Sequence, residues 1–192
     1  MNKILMILVL VIFISSHSFS QIIFENGYFI NNSNEKVYCL IKNIDWNENP
    51  TEFEYMLSQN TNVIKESIEN VKGFGVNGVS KHIRAIVKID DSSDNLFNMT
   101  SDKNPNFKEK TIFLKVVIDG NVSLYQYKKE DLTRFFYSLN GTDINQLVYK
   151  RYLSENKIEQ NNYFKQQIFN DLKCNSIELS SIENLRYTVS HL

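Results

Sequence analysis

Apolar and polar positions alternate with period two over most of the chain after residue 20, and that is the signature of half-buried strands. Gly27-Tyr28-Phe29-Ile30 and Lys36 to Lys42 flank the turn cluster Asn31-Asn32-Ser33-Asn34 and predict a hairpin. Thr51 to Ser58 alternates Glu52 and Glu54 against Phe53 and Tyr55, a third strand, and Val63 to Glu66 suits a fourth. Ser67 to Val71 reads as one helical turn leading into Gly73. Lys81 to Ile89 places Ile83, Ala85, Val87 and Ile89 on one face. Asp90 to Lys110 is polar, contains Pro105, and reads as a long, mobile surface loop. Thr111 to Ile118 is the clearest strand, Asp119-Gly120-Asn121 is a hairpin signal, and Val122 to Tyr127 pairs back. Leu132 to Leu139 favours a strand over a helix, and Ile144 to Leu153 suits either. Helical spacing appears late: Phe164, Ile168 and Leu172 share one side of Asn162 to Lys173, with Asn161 or Asn162 as N-cap, and Ser180-Ser181-Ile182-Glu183 starts another short helix. Strands first and helices last predict an α+β fold. It comprises a mainly antiparallel β domain of about seven strands over 21–153 and a short helical C-terminal tail over 154–192.

The first twenty residues belong to neither. Lys3 precedes the unbroken apolar run Ile4 to Ile14, and the chain then turns small and polar through Ser18 and Ser20. This is a secretory signal peptide pattern with cleavage between Ser20 and Gln21. The run is short of the roughly 20 residues that span a bilayer, and no later segment approaches that length, so no transmembrane segment is expected after cleavage. The whole chain has 21 basic and 22 acidic residues. Removing Lys3 leaves a net charge of about −2, without the basic excess of a nucleic-acid binder. The two cysteines, Cys39 and Cys174, are candidates for one disulfide in an oxidising compartment. Cys39 also shares a strand face with Val37 and Ile41, which suits a buried thiol equally well.

Gly73 to Gly78, GFGVNG, spells G-x-G-x-x-G. The dinucleotide fingerprint requires a strand before it, a helix after it and a carboxylate about 20 residues on. Here a turn precedes it, a period-two segment follows, and Asn98 stands twenty residues beyond Gly78. Gly73, Gly75 and Gly78 are therefore expected to form a tight structural bend with positive φ, and no cofactor is expected. His82 and His191 have no second ligand at metal-binding spacing, so no metal site and no hydrolase triad is expected. Asp90, Asp91, Asp94 and Asn95 suggest calcium loosely but lack the EF-hand's Gly and terminal Glu. Glu52 and Glu54 share a strand face as a glycosidase pair could, and Trp46 with the tyrosines could form a sugar platform. A solvated strand face and aromatic core packing are the commoner uses of such residues.

The stretches GYFINNSNEKVYCLIKNIDWNENPTEFEY, VKGFGV, IDGNVSLYQY, RFFYS, LVYKRYL and NNYFKQQIFNDLKC occur in an order that resembles an uncharacterised family of exported envelope proteins of Bacteroidetes-type bacteria. The resemblance covers about Gly27 to Leu185 and carries no catalytic signature. It implies an envelope location, either periplasmic, outer-membrane-associated or extracellular, and a recurring Cys39–Cys174 pair. Many relatives continue into a C-terminal outer-membrane β-barrel. This chain ends at Leu192, which implies either a barrel-less soluble member or a truncated copy. The expected function is a non-enzymatic binding or assembly module for an envelope protein or glycan. The alternatives are a secreted enzyme of unknown class, action on carbohydrate through Glu52 or Glu54 being one option, or a truncated member of a barrel-bearing outer-membrane family.

Overall fold

The computed structural model describes residues 23–44, 46–172 and 179–192. The expected signal segment, its expected cleavage point at Ser20 and Gln21, and Cys174 lie outside the described residues.

A ten-stranded, wholly antiparallel sheet forms the body. Its strands are β1 (Ile23–Asn31), β2 (Lys36–Asn43), β3 (Glu52–Met56), β4 (Ile64–Ser67), β5 (Val71–Val76), β6 (Ser80–Asp90), β7 (Phe107–Ile118), β8 (Val122–Lys129), β9 (Leu132–Leu139) and β10 (Asn145–Leu147). In space they run β10-β9-β8-β7-β6-β5-β1-β2-β3-β4, two meanders joined where β5 pairs with β1. A separate hairpin follows, β11 (Lys150–Ser154) with β12 (Lys157–Asn161), and then two helices, α1 (Tyr163–Leu172) and α2 (Leu179–Glu183). No helix among the described residues is long and apolar enough to cross a membrane.

The mainly antiparallel β body and late helices agree with the expected fold class, but the strands outnumber the expected seven or so. The additional ones carry little alternation. β12 is Lys-Ile-Glu-Gln-Asn and exposed along nearly its whole length, so its ladder with β11 holds it rather than an apolar face. It occupies the start of the segment expected to be helical. No helical turn forms at Ser67 to Val71. β4 runs to Ser67, Asn70 N–H donates to Ser67 O at 3.1 Å, and β5 begins at Val71.

That short turn fixes the shape of the first half. From β5 through β1, β2 and β3 to β4 there are four strand spacings, about 19 Å in a flat sheet. The four Cα steps from Ser67 to Val71 reach about 15 Å at most. The sheet must therefore curl, and the curl encloses Phe29, Ile41, Phe53, Tyr55, Phe74 and Val76. In the second half β10 comes back to β6, with Asp90 N–H donating to Gln146 Oε1 at 2.8 Å. The core here is Ala85, Val87 and Ile89 with Leu114, Tyr125 and Phe136. β6 and β7 serve both cores from opposite faces. His82 and Phe113 meet Phe74 in the first, while Val87 and Leu114 fill the second.

A third cluster covers the outside of β8 to β10. Phe164 and Ile168 of α1 and Ile182 of α2 pack on Leu124, Phe135 and Leu147. Asn161 Oδ1 accepts from Tyr163 N–H at 3.0 Å and starts α1. Tyr187 Oη donates to Leu147 O and accepts from Phe135 N–H, both at 2.8 Å, and ties down the C-terminal residues.

The polar segment 91–106 is not the free loop expected from its composition. Arg134, fully buried on β9, donates from Nε to Asp90 O, from Nη2 to Ser92 O and from Nη1 to Asp94 Oδ2. Lys150 Nζ donates to Asn104 O, Leu153 N–H to Thr100 O, and Asn161 Nδ2 to Lys103 O. Composition reads exposure, and it cannot see that distant strands supply the donors this backbone needs.

Candidate functional site

The structure scatters the residues singled out in the sequence. Gly73 and Gly75 lie within β5, not in a bend, and only Gly78 occupies a turn, at φ 73°. The first two are required for close approach. A Cβ on Gly73 would stand 2.5 Å from His82 O, and one on Gly75 would stand 2.6 Å from Ser80 O. A strand follows where the nucleotide fingerprint needs a helix. Cys39 is a free, buried thiol on β2, and burial pushes its pKa up to about 11. Its expected partner Cys174 lies outside the described residues.

Glu52 and Glu54 each face a lysine, Lys65 at 2.8 Å and Lys42 at 2.7 Å. The aspartate cluster is likewise occupied. Asp90 Oδ1 accepts from Ser92 N–H and Oγ, Lys110 holds Asp91 below the usual carboxylate range by a hydrogen bond, and Asp94 pairs with Arg134. No group of three potential ligands is placed to hold a metal ion among the described residues. His82 stacks on Phe74 at 4.8 Å and meets Trp46 edge-on at 5.5 Å. Burial, and then the charge of Lys115, push its pKa down to about 4. It is a core aromatic, not a base. Trp46 packs on the same core rather than forming a platform.

The concave site lies elsewhere, outside the seam where β10 approaches β6, and measures about 500 Å³. Strand alternation builds its first wall. Because Ala85, Val87 and Ile89 point into the core, Ile86 and Lys88 point out, and the ladder sets Glu109 opposite Lys88 and Phe107 opposite Asp90. Asp143, Ile144, Asn145, Gln146, Val148 and Tyr137 give the second wall, and Tyr163 and Gln167 of α1 give the third.

Gln167 also closes the free edge of the sheet. Its Nε2 donates to Gln146 O at 3.0 Å and its Oε1 accepts from Val148 N–H at 2.7 Å. Phe164 N–H donates to Val148 O at 2.8 Å. The helix thus satisfies the backbone groups that an edge strand leaves open. Tyr137 Oη donates to Asp171, and burial together with that bond pushes its phenol up. It stands as a neutral donor fixed on the helix.

Gln146 is the distinctive wall residue. It is 4 % exposed. The Asp90 N–H must face an oxygen, so Oε1 is held there and Nε2 is turned to the remaining side, where it has no partner. A buried donor left unpaired costs about 1–3 kcal/mol. Three rim residues are also exposed although apolar or aromatic: Ile86 at 70 %, Tyr163 at 48 % and Phe107 at 43 %.

Sequence reasoning did not find this site. Its walls come from four separated segments, and no spacing rule links them. One signal was readable: Ile86 is an apolar residue on the polar face of an alternating strand, between Arg84 and Lys88. Gln146 gave none. No family model matches the chain, and neither a curated protein nor a solved structure matches it.

Proposed function

We propose that the protein is an exported, non-enzymatic envelope module, periplasmic or surface-associated, that holds a ligand or partner in the cleft between β6, β10 and α1. The observation that carries this reading is the cleft itself, about 500 Å³, with the exposed rings of Phe107 and Tyr163 beside Lys88, Glu109 and Asp143. Such a combination of volume, apolar lining and a few placed polar groups is the usual form of a small-ligand site. Export is supported by the N-terminal pattern ending at Ser20, and the envelope setting by the resemblance over Gly27 to Leu185. Glu52 and Glu54, each bound to a lysine, give the enzymatic alternative little to work with.

The test is affinity capture of the tagged protein from its own envelope fraction, in parallel with the cleft variants Phe107→Ala and Tyr163→Ala. Both side chains are substantially exposed, so the fold should tolerate their removal. A molecule retained by the natural protein and lost by both variants supports the reading. Identical recovery from all three would overturn it. N-terminal sequencing of the exported material should begin at Gln21, and an intact Met1 in a cytosolic fraction would refute export.

A further inference from the structure

Resting on the proposed cleft, we infer that its ligand is a neutral, hydroxyl-rich glycan segment, bound face-on to the Phe107 and Tyr163 rings. Three features of the cleft carry the assignment, each by excluding another ligand class.

The first is charge. The wall holds one cation, Lys88, and two carboxylates, Glu109 and Asp143. A phosphate, a uronate or a fatty-acid headgroup would enter against a net negative wall at the low-dielectric side of a protein surface. A neutral polyol meets no such repulsion, and its hydroxyls donate to the same carboxylates.

The second is the state of the nearby strand edge. An extended peptide gains most of its affinity by continuing a sheet through main-chain hydrogen bonds. At β10 those bonds are already made: Gln167 takes Gln146 O and Val148 N–H, and Phe164 N–H takes Val148 O. A peptide arriving here finds no ladder to join.

The third is the mix of surfaces. Phe107 and Tyr163 expose ring area that packs on nothing in the cores, yet amide and carboxylate groups interrupt it too closely for a purely apolar ligand. A pyranose ring has this same division. Its C–H face lies on an aromatic ring, and its hydroxyls reach sideways to acceptors and donors. Glu109 and Asp143 would accept from sugar hydroxyls, and Lys88 would donate to a ring or hydroxyl oxygen.

The experiment is a titration of the isotope-labelled mature chain, followed by NMR and calorimetry. The probes are neutral gluco-, manno-, xylo- and N-acetylglucosamine oligomers of two to six residues, an oligogalacturonate, a mixed ten-residue peptide library and laurate. Expected is saturable binding of at least one neutral oligomer, with shift changes at Ile86, Phe107, Asn145, Gln146 and Tyr163. Its affinity should fall at least tenfold in Phe107→Ala and in Tyr163→Ala, while both variants keep the natural fold's spectrum. Saturable binding of the oligogalacturonate, peptide or laurate at these residues, with all neutral oligomers silent, overturns the glycan assignment and leaves the ligand cleft standing. Silence of every probe also overturns the glycan assignment, and the envelope capture with the same variants then decides the cleft separately.

Discussion

Acidifying the protein from pH 7.5 to pH 5 should weaken it, and His82 contributes a share that can be isolated. The ring is 2 % exposed, lies parallel to Phe74 at 4.8 Å, and has an unpaired Nδ1. Burial and then Lys115 lower its pKa from 6.5 to about 4. Because the folded value lies below the unfolded one, the unfolded chain takes up the proton first as pH falls. The stability is therefore fully present above about pH 6.5, declines below it, and is entirely lost once pH has fallen through about 4. A gap of about 2.5 pH units is worth roughly 3 kcal/mol in all, of which about 2 kcal/mol is gone by pH 5. Urea unfolding of residues 21–192 at pH 7.5, 6.5, 5.5 and 5 measures this. Carboxylates also titrate near the low end, so the natural protein is compared with His82→Phe, whose flat ring suits the Phe74 and Trp46 contacts. The natural protein should lose about 2 kcal/mol more than the variant over this range. Parallel stability curves for the two proteins would refute the burial argument, since only the histidine distinguishes them.

Three further outcomes follow from the packing. Arg134→Met leaves Asp94 without its guanidinium and three backbone carbonyls without a donor, and should cost about 3–5 kcal/mol in urea unfolding. Arg134→Lys, which keeps the charge but loses the fork, should still cost about 2 kcal/mol, and amide exchange across 91–106 should accelerate in both; natural exchange rates there would contradict the clamp. Gly75→Ala should be worse than Gly78→Ala: the former drives a Cβ to 2.6 Å from Ser80 O, while the latter meets open space and pays only for its positive φ, about 1 kcal/mol. Equal losses in thermal unfolding would mean that the strands relax around Gly75. Cys39, studied alone in a Cys174→Ser background, should resist thiol reagents at pH 8 until urea unfolds the chain, and rapid labelling of the native protein would show that β2 opens locally.

The part of the fold that the sequence displayed is the part where one face alone is buried. Phe53 and Tyr55 are buried and alternate with Glu52 and Glu54, and β3 was plain. Where a strand serves two cores, alternation misleads. Phe113 sits on what should be the solvated face of β7, and it is buried against Phe74 because the sheet curls there in the opposite sense. His82 is buried for the same reason on β6. The glycines of VKGFGV read as a bend with positive φ, but Gly73 and Gly75 lie in regular strand, and what they permit is close approach between strands. Arg134 in the run Arg-Phe-Phe-Tyr-Ser read only as a strand residue. Its partners Asp90, Ser92 and Asp94 lie about forty positions earlier, so the long loop they fasten read as mobile. Interactions between distant segments leave no periodicity.

The same curl accounts for the position of the cleft. A sheet rolled in two opposite senses ends in edges that no neighbouring strand can pair, and β10 is one of them. Its three residues are too short to form a stable rim by ladder alone, so a helix must supply the missing donors and acceptors. Gln167 does this through a side chain, beside the backbone bond from Phe164 N–H to Val148 O, and where the side chain intervenes the helix stands farther from the strand than a paired strand would. The space so kept open is bounded on the other side by the outward residues of β6 and β7. It follows that ligand affinity and edge protection share one group. Gln167→Ala should therefore both loosen the wall and free the β10 edge, losing bound ligand and gaining self-association at high concentration, which sedimentation would detect. A variant that lost ligand but stayed strictly monomeric would show that the edge is guarded by something other than this amide.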